Sequence, residues 1–370
     1  MAGGGDWVSW ETAKALSQRG HKVHVVTSQI ENAARHEIIN GIEIFRPFSR
    51  GDVSSIGGLL KRVFFSPRLW FFLRQFLKQH PVDVIWNYAY SPTIVTTRLA
   101  AKNHIPVITA VHSLVGRTWF HLTNPILATY NYLNEIFALR FGKHDAVLCP
   151  SSEVARKVRH YTQARVFTIP NPLDLDEIKQ AKENTDTESI RQSLGMRKKE
   201  QFLLFVGALI GVKNIDGLIR ALAKSDAEFK LVLVGDGREK QRIEALIRKV
   251  GLGGRVILLG QKSHQETLRI MKSCDILILP SKAESFGIVA IEALALGRPV
   301  IATAVGVIPE VQSANLHVIN SLEEISQLLE KGIQPKEDDR VLQDYSMHNI
   351  IVEFENMLEA AVRPHKPSTG

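Results

Sequence analysis

Residues 279–292, LPSKAESFGIVAIE, join the end of an apolar strand to a polar loop and then to an apolar helix. The strand is the run Ile276–Leu279, and helical spacing of apolar residues begins near Phe286. Strands that alternate with helices in this way form parallel sheets with helices on both faces. Because ligands bind beyond the carboxyl ends of the strands in such sheets, this loop is the first place to look for a functional site.

The same alternation continues outward in both directions and falls into two series. Strands are predicted at His21–Thr27, Val82–Trp86, Val107–Val111, Ala146–Cys149 and Val166–Ile169, and then at Phe202–Val206, Lys230–Val234, Val256–Leu259, Ile276–Leu279 and Val300–Ala302. Helices are predicted between them, for example at Val8–Arg19, Ile215–Ala223 and Glu239–Val250. Two such series predict an α/β protein with two doubly wound, Rossmann-like domains.

The boundary between the two series lies at Pro170-Asn171-Pro172, where two prolines interrupt the pattern. A C-terminal helix is predicted at Tyr345–Val362, where apolar residues recur at helical spacing. We therefore expect a first domain over 1–175, a polar linker over 176–200, a second domain over 201–333, and a C-terminal helix and tail over 334–370.

The first domain has an unusual beginning. In doubly wound domains a glycine-rich turn follows the first strand. Here the glycines Gly3-Gly4-Gly5 follow only Met1-Ala2. Either the chain starts late or the domain lacks its first strand, and the loss would expose a sheet edge or remove a central strand.

The composition is that of a folded protein and excludes several classes. Hydrophobic residues make up 45% and charged residues 23% of the 370 residues, which excludes a disordered chain. Cys149 and Cys274 lie in apolar runs and indicate buried thiols in a reducing compartment rather than a disulfide scaffold. No apolar run is long enough to span a membrane, and the first residues lack a signal-peptide pattern, so we expect a cytoplasmic protein.

The net charge of +8 lies entirely in the first half of the chain. Residues 1–180 hold 21 Lys and Arg against 13 Asp and Glu, whereas residues 181–370 hold 25 of each. A basic half can attract nucleic acid, an anionic lipid surface or a phosphorylated substrate. Charge alone does not choose among these partners.

The loop and helix that follow the strand at 276–279 carry groups suited to a diphosphate. If the helix begins near Phe286, the amides of Phe286, Gly287 and Ile288 are donors at the positive end of the helix dipole. Glu284 lies just before the helix, where a carboxylate can accept hydrogen bonds from sugar hydroxyls. Glu292 lies about a turn and a half inside the helix, and its side chain leans toward the same end. The plainer interpretation is a loop carboxylate and a solvated helix residue.

Glu284-x7-Glu292 within PSKAESFGIVAIEALALGRPVIAT, followed by Gly306 and Pro309-Glu310, resembles the donor-site signature of glycosyltransferase family 4. In the second half, FVGALIGVKNIDGLIRALA, LVLVGDGREKQRIEAL, GLGGRVILLG and CDILILPS also resemble this family in order and spacing. In the first half, GGGDWVSWETAKALSQRGHKVHVVTS, VITAVHS and IPNPLD resemble its N-terminal elements. The resemblance covers nearly the whole chain and implies a GT-B fold in which the C-terminal helix crosses back to the first domain.

The resemblance implies roles for individual residues. Glu292 matches the glutamate that binds the nucleotide ribose, and Glu284 matches the one near the transferred sugar. The catalytic residues implied are Glu284, His112 and Lys213, and the donor-binding residues are Gly4, Gly5, Gly207, Lys213, Ser285, Phe286, Gly287, Ile288 and Glu292. Two positions depart from the family pattern: Ala208 stands where the family has an arginine, and Val307 where it has a second glycine.

The resemblance also implies a reaction. A sugar would pass from a nucleotide-diphosphate sugar to an acceptor with retention at the anomeric carbon, in a cleft that closes between the two domains. Lys213 and the helix amides would stabilise the charge on the departing diphosphate. No Asp-x-Asp motif stands where it would coordinate a metal, so we expect neither a cofactor nor a required metal.

The segment around residues 61–74 bears on the acceptor. A helix that begins at Ser66-Pro67 would place Leu69, Phe72, Leu73 and Phe76 on one face, which suits packing against a core. Membrane-contact residues are expected at Lys61, Arg62, Phe64, Phe65, Arg68, Trp70, Phe71 and Arg74, because basic and aromatic residues together suit a membrane interface. The alternative is a packed helix with a cationic outer face. With the basic first half, this segment favours a peripheral enzyme on the cytoplasmic membrane face with a lipid-linked or saccharide acceptor.

Other functions stay open at this stage. A GT-B nucleotide-sugar epimerase would use the same donor site without an acceptor, and a non-catalytic member would bind nucleotide without turnover. Nucleic-acid binding is disfavoured because none of the recognised basic and aromatic modules appears. A dinucleotide-dependent enzyme is disfavoured because no G-x-G-x-x-G follows a strand.

Overall fold

The computed structural model describes residues 4–29, 33–48, 65–88, 90–116, 119–122 and 124–362. The chain divides into two compact units. The first unit is formed by Met1–Pro170 together with Ile350–Gly370, and the second by Asn171–Asn349. Both units are α/β, with parallel sheets and intervening helices, as the sequence predicts.

The described residues of the first unit form two separate sheets. One contains β1 (His24–Val26), β2 (His36–Ile39) and β3 (Ile42–Phe45) in the order β1-β3-β2, with β1 parallel and β2 antiparallel to β3. The other contains four parallel strands in chain order, namely β4 (Ile85–Asn87), β5 (Val107–Ala110), β6 (Ala146–Cys149) and β7 (Arg165–Thr168). Within the described residues β1 and β4 each pair with one strand only.

Six helices of the first unit lie among the described residues and precede the boundary. They are α1 (Gly4–Gln18), α2 (Phe65–Gln79), α3 (Tyr90–Lys102), α4 (Trp119–Leu122), α5 (Pro125–Phe141) and α6 (Ser152–Val158). Gly4 and Gly5 are thus the first residues of a helix rather than part of a loop, contrary to expectation. None of the helices in the described part of the chain combines the length and the apolar character needed to cross a membrane.

Helix α2 confirms the expected inward stripe. Leu69, Leu73 and Phe76 are buried, and Phe72 is half-buried and packs against them. Trp70, also expected at a membrane, is half-buried, and Lys102 Nζ lies over its ring at 5.0 Å from the centroid. Of the other expected membrane-contact residues, Arg68, Phe71 and Arg74 are exposed. Lys61, Arg62 and Phe64 lie outside the described residues, as does the side chain of Phe65.

The second unit is built on one sheet of six parallel strands. The strands are β8 (Gln201–Val206), β9 (Phe229–Val234), β10 (Val256–Gly260), β11 (Ile276–Leu279), β12 (Val300–Thr303) and β13 (Leu316–Ile319), in the order β10-β9-β8-β11-β12-β13. Phe202 and Leu204 of β8 pack into the core on one face, and Leu203 and Phe205 pack into the core on the other. Burial on both faces explains why β8 is continuously apolar rather than alternating.

The helices of the second unit cover both faces of this sheet. They are α7 (Leu175–Asn184), α8 (Thr187–Ser193), α9 (Ile215–Leu222), α10 (Lys240–Lys249), α11 (His264–Ser273), α12 (Ile288–Ala295), α13 (Glu324–Lys331) and α14 (Arg340–Asp344). The last helix, α15 (Met347–Val362), returns the chain to the first unit from Ile350 onward, as the resemblance implies. There Phe354 packs against Trp86 with ring centroids 4.8 Å apart.

The segment 176–200, expected as a linker, instead carries most of α7 and all of α8 within the second unit. Asp174 and Asp186 cap the two helices by accepting hydrogen bonds from the amides of Glu177 and Ser189, each at 3.0 Å. Arg191 of α8 donates to both carboxylate oxygens of Asp275, at 3.0 and 3.1 Å. The polar composition that suggested a linker therefore belongs to capped surface helices.

Candidate functional site

Two loops meet at the carboxyl edge of the central strands of the second unit. One follows β8 and contains a single 3₁₀ turn, Gly211–Lys213, and the other follows β11 at Pro280. The amide of Lys282 donates to the carbonyl of Val212 at 2.8 Å, and Asn214 Nδ2 donates to the carbonyl of Pro280 at 3.2 Å. These bonds bring Lys213 and Glu284 together, although 71 residues separate them in sequence.

Lys213 and Glu284 form a charged pair at this edge. Lys213 Nζ lies 2.6 Å from Glu284 Oε1, and Ser281 Oγ donates to the same oxygen at 2.7 Å. The side chains are only 19% and 10% exposed, so water screens the pair weakly. Lys213, which is predicted to bind the diphosphate, and Glu284, which is predicted near the transferred sugar, therefore hold each other in this structure.

Helix α12 begins beside this pair and has no side-chain cap. It begins at Ile288 rather than near Phe286, and Gly287 occupies the capping position with a φ of 95°. Phe286 is consequently outside the helix: its side chain is buried in the core, and its carbonyl accepts a hydrogen bond from the amide of Val307 at 2.9 Å. The donors of an uncapped helix start, here those from Ile288 onward, can bind an anion.

Gly306, in the loop after β12, supports the turn before α12. It has a φ of 62°, and a Cβ at this position would lie 2.5 Å from the carbonyl oxygen of Phe286 and 2.9 Å from the Cβ of Glu284. Only glycine fits this approach without displacement of the backbone. Thr303 Oγ1 also donates to the carbonyl of Ser281 at 2.5 Å, so the loops after β11 and β12 form one connected support.

Glu292 is buried one turn into α12 and is held by a histidine that the sequence analysis did not identify. His264 Nε2 lies 2.8 Å from Glu292 Oε1, and its Nδ1 bonds to Glu177 on α7. The hydrogen bond with Glu292 raises the pKa of His264 to about 9, with the Glu177 bond and the two charges assisting and burial opposing. His264 is therefore an imidazolium at neutral pH and fixes one oxygen of Glu292.

His112 of the first unit follows β5 and is neutral at physiological pH. Burial lowers the pKa of its imidazole to about 4. Its ring packs on Tyr88 with centroids 4.4 Å apart, and neither ring nitrogen has a hydrogen-bond partner within the described part of the chain. Buried imidazole nitrogens without partners are costly, which suits a residue that bonds to a ligand.

The loop after His112 is held by the buried carboxylate of Glu135 on α5. This carboxylate accepts hydrogen bonds from Gly116 N and Trp119 Nε1, each at 2.9 Å, and from Val115 N at 3.3 Å. Burial raises the pKa of Glu135, and these three donors oppose that rise. The carboxylate of Glu135 therefore holds the loop that follows β5 in place.

Comparison with known proteins identifies the family. Residues 2–177 match the family described as "Glycosyltransferase Family 4", and residues 186–345 match "Glycosyl transferases group 1". The chain belongs to glycosyltransferase family 4. Its fold is GT-B. The match to the structure of Anabaena HepE in complex with UDP and glucose covers 97% of this chain and 96% of HepE, with a TM-score of 0.68 and 19% identity.

Two sequence relatives of this glycosyltransferase show how widely the family has diverged. An uncharacterized glycosyltransferase of Methanocaldococcus jannaschii is 30% identical over 239 residues, which is 64% of this chain and 60% of that protein. The N-acetyl-alpha-D-glucosaminyl L-malate synthase of Bacillus anthracis is 25% identical over 327 residues, which is 84% of this chain and 78% of that protein.

The predicted site residues of this glycosyltransferase are divided between the two units. Gly207, Lys213 and the group from Glu284 to Glu292 lie together in the second unit, whereas Gly4, Gly5 and His112 belong to the first. Ala208, at the position of the family arginine, is exposed beside Gly207. His264 and Glu177 were missed because nothing local marks them, although the capping box of Ser263 and Glu266 fixes where α11 begins.

Proposed function

We propose that this glycosyltransferase moves a hexose-type sugar from a nucleotide-diphosphate sugar to a lipid-linked or saccharide acceptor, with retention at the anomeric carbon. The observation that carries the proposal is the uncapped start of α12 beside Lys213, with Glu284 before the helix and Glu292 within it. This arrangement supplies a cation, backbone donors and two carboxylates within one connected set of loops. The cation and the backbone donors suit the negative charge of a diphosphate, and the two carboxylates suit the hydroxyls of the two sugars attached to it.

The charge on the leaving diphosphate is the main electrostatic demand of the reaction. The amides at the first turn of α12 point along the helix axis and cost no reorganisation when charge develops. Lys213 adds a full positive charge. As the donor binds, its ammonium would move from Glu284 to the phosphate oxygens. We expect these protein donors to suffice without a metal, so that chelators leave the initial rate unchanged.

Glu284 and Glu292 would bind the hydroxyls on the two sides of the diphosphate. Glu284, released from Lys213, would accept hydrogen bonds from the transferred sugar. Glu292 would accept them from the ribose, because the imidazolium of His264 fixes its orientation. His112 of the first unit is neutral and has no hydrogen-bond partner among the described residues. It would bond to a hydroxyl of the sugar donor. Retention is proposed from the family resemblance.

Product analysis tests this function directly. The purified protein is incubated with UDP-, GDP- and ADP-sugars, with UDP-glucose first because HepE was solved with UDP and glucose. We expect release of the nucleoside diphosphate, faster with a suitable acceptor, and its loss in Glu284→Ala. Glu330→Gln, an exposed change on α13, is the matched control. An isomerised sugar nucleotide without nucleoside diphosphate would identify an epimerase instead.

Ala208 favours a second candidate, a member that binds the nucleotide without turnover. The missing arginine would remove a bidentate donor from the diphosphate. This candidate predicts saturable binding of a nucleoside diphosphate with no product from any donor. Single-turnover measurements at high enzyme concentration separate it from slow transfer.

We also propose that the first unit acts at an anionic membrane surface. Phe71 on α2 is 69% exposed between the exposed Arg68 and Arg74. Helix α5, which like α2 packs on α3, exposes Ile126, Leu133, Phe137 and Phe141. Exposed apolar side chains with flanking cations suit a lipid interface.

Vesicle sedimentation tests the membrane proposal. At low salt we expect binding to vesicles that contain phosphatidylglycerol, weaker binding to neutral vesicles, and reduced binding for the double variant Arg68→Ser with Phe71→Ser. Lys249→Ser, an exposed change on α10, serves as the control for lost charge. Equal partition of the protein with and without anionic vesicles would refute the proposal.

A further inference from the structure

Two histidines and a glutamate, none of them assigned to the donor, converge in the first unit. His24 lies on β1, Glu43 on β3, and His80 directly after α2. The β1–β3 register pairs His24 with Glu43, which makes them direct neighbours across the two strands. One ligand atom of each residue lies within 4.8 Å of those of the other two.

His24 is the residue that points to a ligand. Its side chain is only 5% exposed, and its Nδ1 has no hydrogen-bond partner within the described residues. Glu43 Oε2 lies 3.0 Å from this nitrogen, without the alignment of a hydrogen bond. A buried imidazole nitrogen without a hydrogen-bond partner, beside a carboxylate and a second imidazole, suits a metal ligand.

The surroundings hold these side chains in place. His36 Nε2 bonds to the other carboxylate oxygen of Glu43 at 2.9 Å, which fixes the carboxylate in the manner of the outer partners of metal ligands. The ring of His80 stacks on Phe76 at 4.5 Å and lies edge-on to His24 at 5.0 Å. Phe45 packs beside both histidines, with its ring centroid 5.3 Å from that of His80 and 6.2 Å from that of His24.

We propose that His24, Glu43 and His80 bind a divalent transition metal of the zinc class, with a fourth position open to water. Two imidazoles and one carboxylate are a donor set that Zn²⁺ accepts in tetrahedral geometry. Bonds of about 2.0 Å would place the ligand atoms roughly 3.3 Å apart, so the half-buried His80 would need to rotate toward its partners. The metal would join β1 and β3 to the end of α2 and stabilise the first unit. It would take no part in sugar transfer, and the proposal does not depend on the proposed function.

Metal titration of the full-length, tag-free protein tests this site. After removal of trace metal with a chelator, Zn²⁺ is added in a calorimeter at neutral pH, and Co²⁺ is added in parallel for absorption spectroscopy. We expect saturable binding of one Zn²⁺ per chain, a tetrahedral Co²⁺ spectrum, and a higher unfolding temperature with Zn²⁺.

Variants separate this site from the other histidines of the chain. His80→Ala and Glu43→Gln are expected to weaken Zn²⁺ binding on the order of 100-fold or more and to abolish the Co²⁺ spectrum, while His36→Gln should weaken binding by roughly 10-fold. His160→Ala, an exposed change in the same unit, should bind like the parent. His80 is half-buried and Glu43→Gln preserves shape, so both variants should fold, as far-UV circular dichroism would verify. No saturable binding in the parent, or unchanged binding in both ligand variants, would overturn the proposal.

Discussion

A bound phosphate would compete with Glu284 for the ammonium of Lys213. Substitution of Glu284 and substitution of Lys213 should therefore change the affinity for a nucleotide in opposite directions. In the free protein the ammonium donates to Glu284 Oε1 at 2.6 Å from a largely buried position. A hydrogen bond between charged groups contributes about 1.5–3 kcal/mol, whereas one to a neutral amide contributes about 0.5–1.5 kcal/mol. Glu284→Gln therefore lowers the cost of freeing Lys213 by about 1 kcal/mol.

That difference converts into a measurable affinity. About 1 kcal/mol corresponds to roughly 5-fold tighter binding of UDP, without its sugar, to Glu284→Gln. Lys213→Ala removes a charged donor to the diphosphate and should weaken binding by roughly 10- to 100-fold. Transfer activity should fall in both variants, because Glu284 is expected to bind the sugar.

Isothermal titration calorimetry of both variants with UDP provides the assay. Glu330→Gln and Lys249→Ala, exposed changes of the same types, are the controls and should bind UDP as the parent does. If Glu284→Gln weakens UDP binding as much as Lys213→Ala does, the pair acts as a unit and the competition argument is wrong.

Three further predictions test other parts of the second unit. Gly306→Ala should lower the free energy of unfolding by about 1–3 kcal/mol in urea titrations, because its Cβ meets the carbonyl of Phe286, while Gly253→Ala has open space and should change it by less than about 0.5 kcal/mol. Because the pKa of His264 is raised, its ionisation stabilises the fold fully below about pH 6.5, and this stabilisation is lost as the pH rises through about 9. Since the side chain is 45% exposed, we expect it to contribute about 1 kcal/mol to the free energy of unfolding. The pH profile of the stability of His264→Gln should lack this contribution. Ala208→Arg should restore a bidentate donor and raise kcat/KM for the donor roughly 10-fold, and a rate equal to or below that of the parent would show that another cation already serves the diphosphate.

Strand positions were predictable where burial is complete. Ala146–Cys149 and Ile276–Leu279 have the predicted bounds, since each is an apolar run buried on both faces between an aspartate and a proline. The strand β13 was missed because Leu316–Ile319 is short and only partly buried. Its apolar signal is therefore weak.

The hairpin of β2 and β3 was missed although the sequence carried its signal. Asn40-Gly41 between apolar residues is the strongest short-range indication of a two-residue turn. The strand–helix alternation of the rest of the chain predicts parallel strands only, whereas this turn joins an antiparallel pair. The helices α7 and α8 were missed for a different reason: α7 buries only Ile178 and Ala181, α8 buries no residue, and their polar faces have the composition of a linker.

Contacts between distant positions were beyond the sequence pattern. The bond of His264 to Glu292 joins residues 28 apart, and the cluster of His24, Glu43 and His80 depends on strand register and on where α2 ends. Neither has a local spacing that a single sequence reveals. Lys213 and Glu284 were predicted as ligand contacts, but their mutual pairing required the three-dimensional arrangement of the loops.

A crystal structure with bound UDP tests the central claim most directly. The account predicts the diphosphate oxygens within hydrogen-bond distance of Lys213 Nζ and of the first-turn amides of α12, with Lys213 moved away from Glu284 and the ribose hydroxyls on Glu292. A nucleotide bound elsewhere, or a bound diphosphate that leaves the Lys213–Glu284 pair and the helix start untouched, would contradict it.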